Sequence, residues 1–210
     1  VFSILLLLLI TAFYFSKDFR LDASSETLLL ENDPDLKFLN EINERYGAKE
    51  FLVLTYSPNS KMNSDESIKN LSALKNELKT LDWVHNVVTL LDIPLLEATD
   101  DGLIERIQNF KTLTSKDIDR ERGFNEILNS PVFRNFVISE DGKTSGIIVY
   151  IKQNKIDKQI KTERELEIFK DKIKKERHQN ILEIREVIKN HNKNIQIYLG
   201  GIPMIADDMM

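Results

Sequence analysis

Residues 1–15 read VFSILLLLLITAFYF, an apolar run with no charged residue in it. A helix over that run is about 22 Å long at about 1.5 Å per residue, while the hydrocarbon core of a bilayer is about 30 Å thick. A helix at the edge of a soluble core keeps one polar face for water, and this run offers none. A secretory signal would need a positive leader and a small-residue cleavage site. The run passes straight into Phe15-Ser16-Lys17-Asp18-Phe19, with no A-x-A pattern. The expectation is the last two-thirds of a membrane helix, embedded through Phe2, Ile4, Leu5, Leu6, Leu7, Leu8, Leu9, Ile10 and Phe13. Phe13, Tyr14 and Phe15 then sit at the level of an interfacial aromatic belt, and Lys17 and Arg20 snorkel beyond it. On this reading the chain is a piece of a larger membrane protein.

The rest of the chain is rich in Lys, Glu, Asp and Asn, and the net charge of -5 argues against a nucleic-acid partner. The basic cluster Lys172, Lys174, Lys175 and Arg177 is broken by Asp171 and Glu176 and reads as a solvated helix face. With no cysteine, disulfides, thiol catalysis and Cys-ligated zinc are removed together. About 190 residues beyond the apolar run suffice for one compact domain or two small ones.

Local signals order the body. Asp33 and Pro34 open a helix with Leu36, Leu39 and Ile42 on one face, stopped at Gly47. Residues 50–56 read as a strand closed by Ser57-Pro58-Asn59. Ser64 caps a helix with Asp65 and Glu66 in its first turn and Ile68, Leu71, Leu74, Leu78 and Leu81 along one face. Trp83 to Leu91 reads as a second strand, and strand–helix–strand suggests a parallel pair joined by a crossover. An irregular stretch follows, with short helices near Leu103–Phe110 and Lys116–Leu128, the latter capped by Thr114 or Ser115. Asp141-Gly142 between two β-rich runs, Phe133–Ser139 and Ser145–Lys152, signals a hairpin. From Asp157 to Lys189 the pattern is helical, as one long helix or two in series, with Ile160, Leu166, Phe169, Ile173, Ile181, Ile184 and Ile188 as its apolar set. Ile195–Leu199 is a last strand, broken at Gly200-Gly201, after which a helix restarts at Pro203.

The reading is an α+β domain of order β-α-β, insertion, β-β-α-β: a ferredoxin-like split βαβ with inserted helices and an extra hairpin strand, flanked by transmembrane segments. Its divisions are residues 1–17 as the end of a first membrane helix, 18–47 as connector and first helix, 48–199 as the extracytoplasmic domain, and 200–210 as the start of a second membrane helix.

Four stretches in this order carry a resemblance: Leu29-Leu30-Glu31-Asn32-Asp33-Pro34; Val88 through Leu96; Ser130-Pro131 through Thr144; and Gly200-Gly201-Ile202-Pro203-Met204-Ile205-Ala206-Asp207-Asp208-Met209. Together the chain resembles the first extracytoplasmic porter domain of an RND-superfamily exporter of the MMPL and Patched-like branch. The resemblance implies a multi-pass protein of the inner (cytoplasmic) membrane with two similar halves. Its partners would be the lipid bilayer, a second porter domain in the same polypeptide and a hydrophobic or lipid-like substrate. Transport would be driven by an ion gradient, protons above all, without enzymatic chemistry or a cofactor. The ion-relay carboxylates of the family lie in a later membrane helix, so no residue of this chain inherits that role.

The residues themselves offer three candidate sites. The apolar loop Ile93, Pro94, Leu95 and Leu96 either covers the end of the sheet or lines a substrate path or domain contact. Gly200, Gly201 and Pro203 form a hinge or a close-packing point at the second membrane helix. Asp207 and Asp208 are candidate transport carboxylates. The plainer reading places both early in a helix, where the macrodipole favours negative charge. His85, His178 and His191 show no metal-ligand spacing, and no nucleophile elbow or phosphate loop is present. The alternative function is a membrane-anchored extracytoplasmic domain that senses a ligand.

Overall fold

A computed structural model describes residues 2–16, 34–35, 37–38, 41–42, 50–100, 102–152, 162–192 and 195–209. Helix α1 (Phe2–Phe15) forms over the apolar run. Its described side chains are exposed on every side, from Leu5 at 57% to Phe2 at 91%. Among the described residues no helix is long and apolar enough to cross a membrane. Of the helix expected after Asp33, residues 34–35, 37–38 and 41–42 are helical, while Asp33, Leu36, Leu39 and Gly47 lie outside the described residues.

The body runs β1 (Phe51–Pro58), α2 (Asp65–Thr80), β2 (Val84–Val88), a 3-10 turn (Leu90–Asp92), α3 (Leu103–Gln108), α4 (Arg120–Asn129), β3 (Ser145–Ile151), α5 (Glu163–His191), β4 (Ile195–Gly200) and α6 (Ile202–Asp208). The fold is α+β with a four-stranded sheet of order β2-β3-β1-β4, antiparallel at every pairing. β1 and β2 point the same way, but β3 lies between them and bonds to both. This corrects the expected parallel pair. The crossover through α2 leaves a one-strand gap, and β3 fills it in the slightly more stable antiparallel sense.

Three boundaries differ from the sequence expectation, each for a local reason. β1 continues through Ser57 and Pro58, which pair with Gln196 and Ile195. Proline is tolerated there because it is the strand's last position. β2 stops at Val88 because Thr89 and Asp92 cap the next turn: the Thr89 amide donates to Asp92 Oδ2 at 2.8 Å and Leu91 donates to Thr89 Oγ1 at 3.2 Å. α4 begins at Arg120, later than expected. Thr112 N–H donates to Ser115 Oγ, keeping that stretch in a turn, and Asp119 is the cap that accepts from Arg122.

The extra hairpin strand is absent. Phe133 to Val137 bond among themselves, with Arg134 N–H donating to Ser130 O and Val137 N–H to Phe133 O, and Asn135 adopts a φ of 66°. Their backbone donors are used within a coil, and β3 is reached through the one Ile138–Ser145 bridge and the Gly146 N–H donated to Val137 O. The Asp141-Gly142 turn itself forms, with Gly142 at φ 69° and its N–H bonded to Ser139 O.

The core lies on one face of the sheet. Leu52, Leu54 and Tyr56 of β1 and Ile147 and Val149 of β3 are buried with Leu71, Leu74 and Leu78 of α2 and Ile181 and Ile184 of α5. The opposite face carries Phe51 and Tyr150, whose rings meet edge-on at 6.2 Å, and the exposed Tyr198. α5 is one continuous helix of 29 residues, started by a reciprocal capping box between Thr162 and Glu165. Its buried residues begin only at Ile181, and Ile168 is 63% exposed, so its first half extends past the sheet. Ile160 and the side chain of Leu166 lie outside the described residues.

Tyr56 links β1 to α2 by donating to Ser67 O at 2.8 Å. Burial, then the charge of Glu66, push its phenol up to about 12 from 10.0, against a smaller opposing pull from the Ser67 bond. A raised phenol favours the neutral folded state, so this stability is intact below pH 10.0 and is lost as the pH rises toward about 12. Urea melts of the wild type are expected to weaken between about pH 10 and about pH 12, and those of Tyr56→Phe to weaken less. Leu54→Ala is expected to cost about 2–5 kcal/mol in the same melts at neutral pH.

Candidate functional site at the α5–α6 junction

The glycines that end β4 are held by contact. Gly200 pairs with Val53, and Gly201 turns the chain with φ 119° and ψ 156°. A Cβ on Gly201 would sit 3.2 Å from Phe51 O and 3.3 Å from Leu52 Cα. Both the positive φ and the approach to β1 therefore require glycine. α6 starts at Ile202, with the buried Pro203 in its first turn.

α6 is fastened to α5 by charge. The Asp207 side chain is only 3% exposed, and its oxygens lie 2.9 and 3.2 Å from His178 Nδ1. Arg185 donates to Asp208 Oδ1 at 2.7 Å. Arg177 donates to both oxygens of Glu50 at 2.8 and 2.7 Å, tying α5 to the entrance of β1. Asp207 and Asp208 lie in α6, whose first residue is Ile202, and meet α5 through His178 and Arg185. The sequence reading missed both partners. They stand seven residues apart on α5, two turns along one face, and that spacing was the available signal.

The apolar loop lies elsewhere. β2 runs in the same direction as β1 and ends at Val88, which lies in one row with Ile148, Val53 and Gly200, so the chain leaves it heading away from the β1 entrance. Ile93 and Leu95 are in the core at 6% and 0% exposure, whereas Pro94 and Leu96 face outward. Ile93 and Leu95 pack into the core cluster together with Leu90 and Leu91. Leu95 fits because Gly123 gives way to it; a Cβ there would come within 2.8 Å of Leu95 Cδ1. Glu126, also unanticipated, anchors the loop by accepting the amides of Leu96, Glu97 and Ala98 at 2.6, 2.9 and 2.8 Å. Burial pushes the Asp92 carboxyl up, but Lys75 and the amide and hydroxyl of Thr89 outweigh it and hold it below the usual carboxylate range.

Among the described residues no group of three or more His, Cys, Asp or Glu side chains could hold a metal ion. No protein-family model and no curated protein matches the chain. The two candidate regions therefore stand on their own geometry: a charged clamp at one end of the sheet and an anchored loop at the other.

Gly201→Ala is expected to cost about 1–3 kcal/mol in thermal melts, since both the backbone conformation and the Phe51 carbonyl resist a Cβ. Glu126→Ala leaves three loop amides without their acceptor and is expected to cost about 2–3 kcal/mol, with hydrogen exchange rising at residues 96–98. The depressed Asp92 adds stability above the carboxylate range that disappears as the pH falls through it; Asp92→Asn is expected to remove that acid-side loss.

Proposed function

We propose that this chain is the extracytoplasmic porter domain of an RND-type exporter of hydrophobic or lipid-like molecules, driven by an ion gradient with protons as the coupling ion. The observation that carries the reading is α1. A helix of 14 residues with every described side chain exposed and apolar almost throughout has no solvent but lipid. At about 21 Å it accounts for part of a bilayer crossing. α6 supports the reading from the other end of the domain, with Ile202, Ile205 and Met209 all exposed.

The order β2-β3-β1-β4, with α2 and α5 over one face, is read as a ferredoxin-like split βαβ carrying α3 and α4 as an insertion. In that role the domain works mechanically. A shift of the helix continuing from α6 reaches the sheet through Gly201, which rests on the β1 backbone, and through the clamp on α5. The domain then rocks against a second porter domain of the same polypeptide, in the manner of alternating access at the inner membrane. Pro94 and Leu96 are the outward-facing residues of the loop left to meet substrate or that partner. The role calls for no cofactor, no nucleic acid and no catalytic residue.

The test is export of a fluorescent lipophilic dye by cells deleted for the reading frame containing this chain. Restoring the frame is expected to restore export, a protonophore to abolish it, and Leu6→Lys with Leu7→Lys to prevent membrane insertion. Dye retention unchanged by deletion, or a protein that stays in the soluble fraction, would remove the exporter reading. A signalling domain directly after the next apolar helix would favour the sensor.

A further inference from the structure

We propose that the segment leading into β1, residues 34–49, docks along the projecting half of α5 and covers the stripe Leu166, Phe169 and Ile173. The inference rests on connectivity within this chain and needs nothing from the exporter reading.

The projecting half of α5 has little of its own to hold it. Buried residues begin at Ile181, and Glu163 to Arg177 extend past the sheet with a capping box at their start. Isolated helices shorter than about 12–15 residues are marginal in water, so such an arm calls for packing along one face. Leu166, Phe169 and Ile173 recur at the spacing of one helix face. Phe169 and Ile173 are half-buried, although neither belongs to the core cluster nor packs against it. Ile168, one residue off the stripe, is 63% exposed, and the large apolar side chains of α1 are exposed from 57% upward. The stripe is therefore sheltered by something outside the core.

Connectivity identifies the shelter. Arg177 holds both oxygens of Glu50 at 2.8 and 2.7 Å, so the chain enters β1 beside α5, where the arm begins. The three residues from Gly47 to Glu50 reach at most about 10 Å. The helix expected between Asp33 and Gly47 then ends close to Arg177. It and the arm both run toward the sheet, so docked side by side they are parallel. A helix over residues 34–46 is about 20 Å long and the arm from Glu163 to Arg177 about 22 Å, so the lengths match. The segment from Asp33 to Gly47 is net acidic and the arm from Ile168 to Arg177 net basic. Leu36 and Leu39 face the arm in this arrangement. Phe38, on the side of the helix opposite Leu36, is 64% exposed, and Ile42 between them is 37% exposed. With α6 clamped to the same helix, α5 gathers the chain both before β1 and after β4.

The chain has no cysteine, so introduced pairs report proximity without background. The full chain is held in detergent micelles and treated with a short bismaleimide, and crosslinked peptides of the monomeric fraction are read by mass spectrometry. Leu39→Cys with Phe169→Cys is expected to crosslink. Leu39→Cys with Leu182→Cys, farther along α5, and with Tyr198→Cys, on the open face of the sheet, are expected not to. Without any cysteine, Leu39→Asp is expected to speed hydrogen exchange at residues 168–177 about tenfold and to leave residues 184–188 and the Leu54 amide unchanged. Crosslinking at 182 or 198 in place of 169, no crosslink between 39 and 169 in a folded variant, or exchange at 168–177 that ignores Leu39→Asp would overturn the docking. Protection of the Leu54 amide shows whether each variant folds, and the exchange measurement decides alone where a cysteine pair does not.

Discussion

The structure depends on the burial of β1. Val53 to Tyr56 of this strand are paired on both sides, to β3 and to β4. Leu52, Leu54 and Tyr56 on its covered face are each 0% exposed and belong to one buried cluster with residues of α2 and α5. Its flanks are where other elements attach. Glu50 accepts from Arg177 of α5, the backbone at Phe51 and Leu52 supports Gly201, and Tyr56 reaches the backbone of α2. Displacing this strand would disturb the sheet, both covering helices and the exit to α6 together.

From that centre the two ends of the sheet take different physical solutions. At the end where β1 enters and β4 leaves, the contacts are polar and partly wet: Glu50 with Arg177, Asp208 with Arg185, and Asp207 with His178. Partly exposed ion pairs are individually weak. Only Asp207 is deeply buried, so its pairing carries more consequence than the other two. At the far end the cover is apolar, with Ile93 and Leu95 set into the core and the loop backbone anchored on Glu126. One end can therefore respond to charge and solvent, while the other is held by close packing.

The sequence was most informative where the deciding interaction is local. Ser64 caps α2 and accepts from Ser67 three residues on, and the stripe Leu71, Leu74 and Leu78 is buried as its spacing predicts. Asp141-Gly142 makes its turn, yet the strand expected before it does not form. A turn needs four residues, whereas a strand needs a partner edge, and Phe133 to Val137 bond to themselves instead. The loop 93–96 was legible as apolar but not as divided, because only the placement of Gly123 some 30 residues later decides that Leu95 goes in. The pairings of His178 and Arg185 were not legible because their partners are 29 and 23 positions away.

By itself, then, the chain determined where its body helices lie, the Ser64 cap, its α+β character and the apolar nature of its first helix, since these follow from periodicity and from bonds spanning a turn or less. Tertiary structure decided that β3 separates β1 from β2, that Leu95 is core and Leu96 is not, and that two carboxylates of α6 are answered by a histidine and an arginine of α5. Those outcomes turn on which distant surfaces meet and exclude water, a quantity that no short window of residues contains.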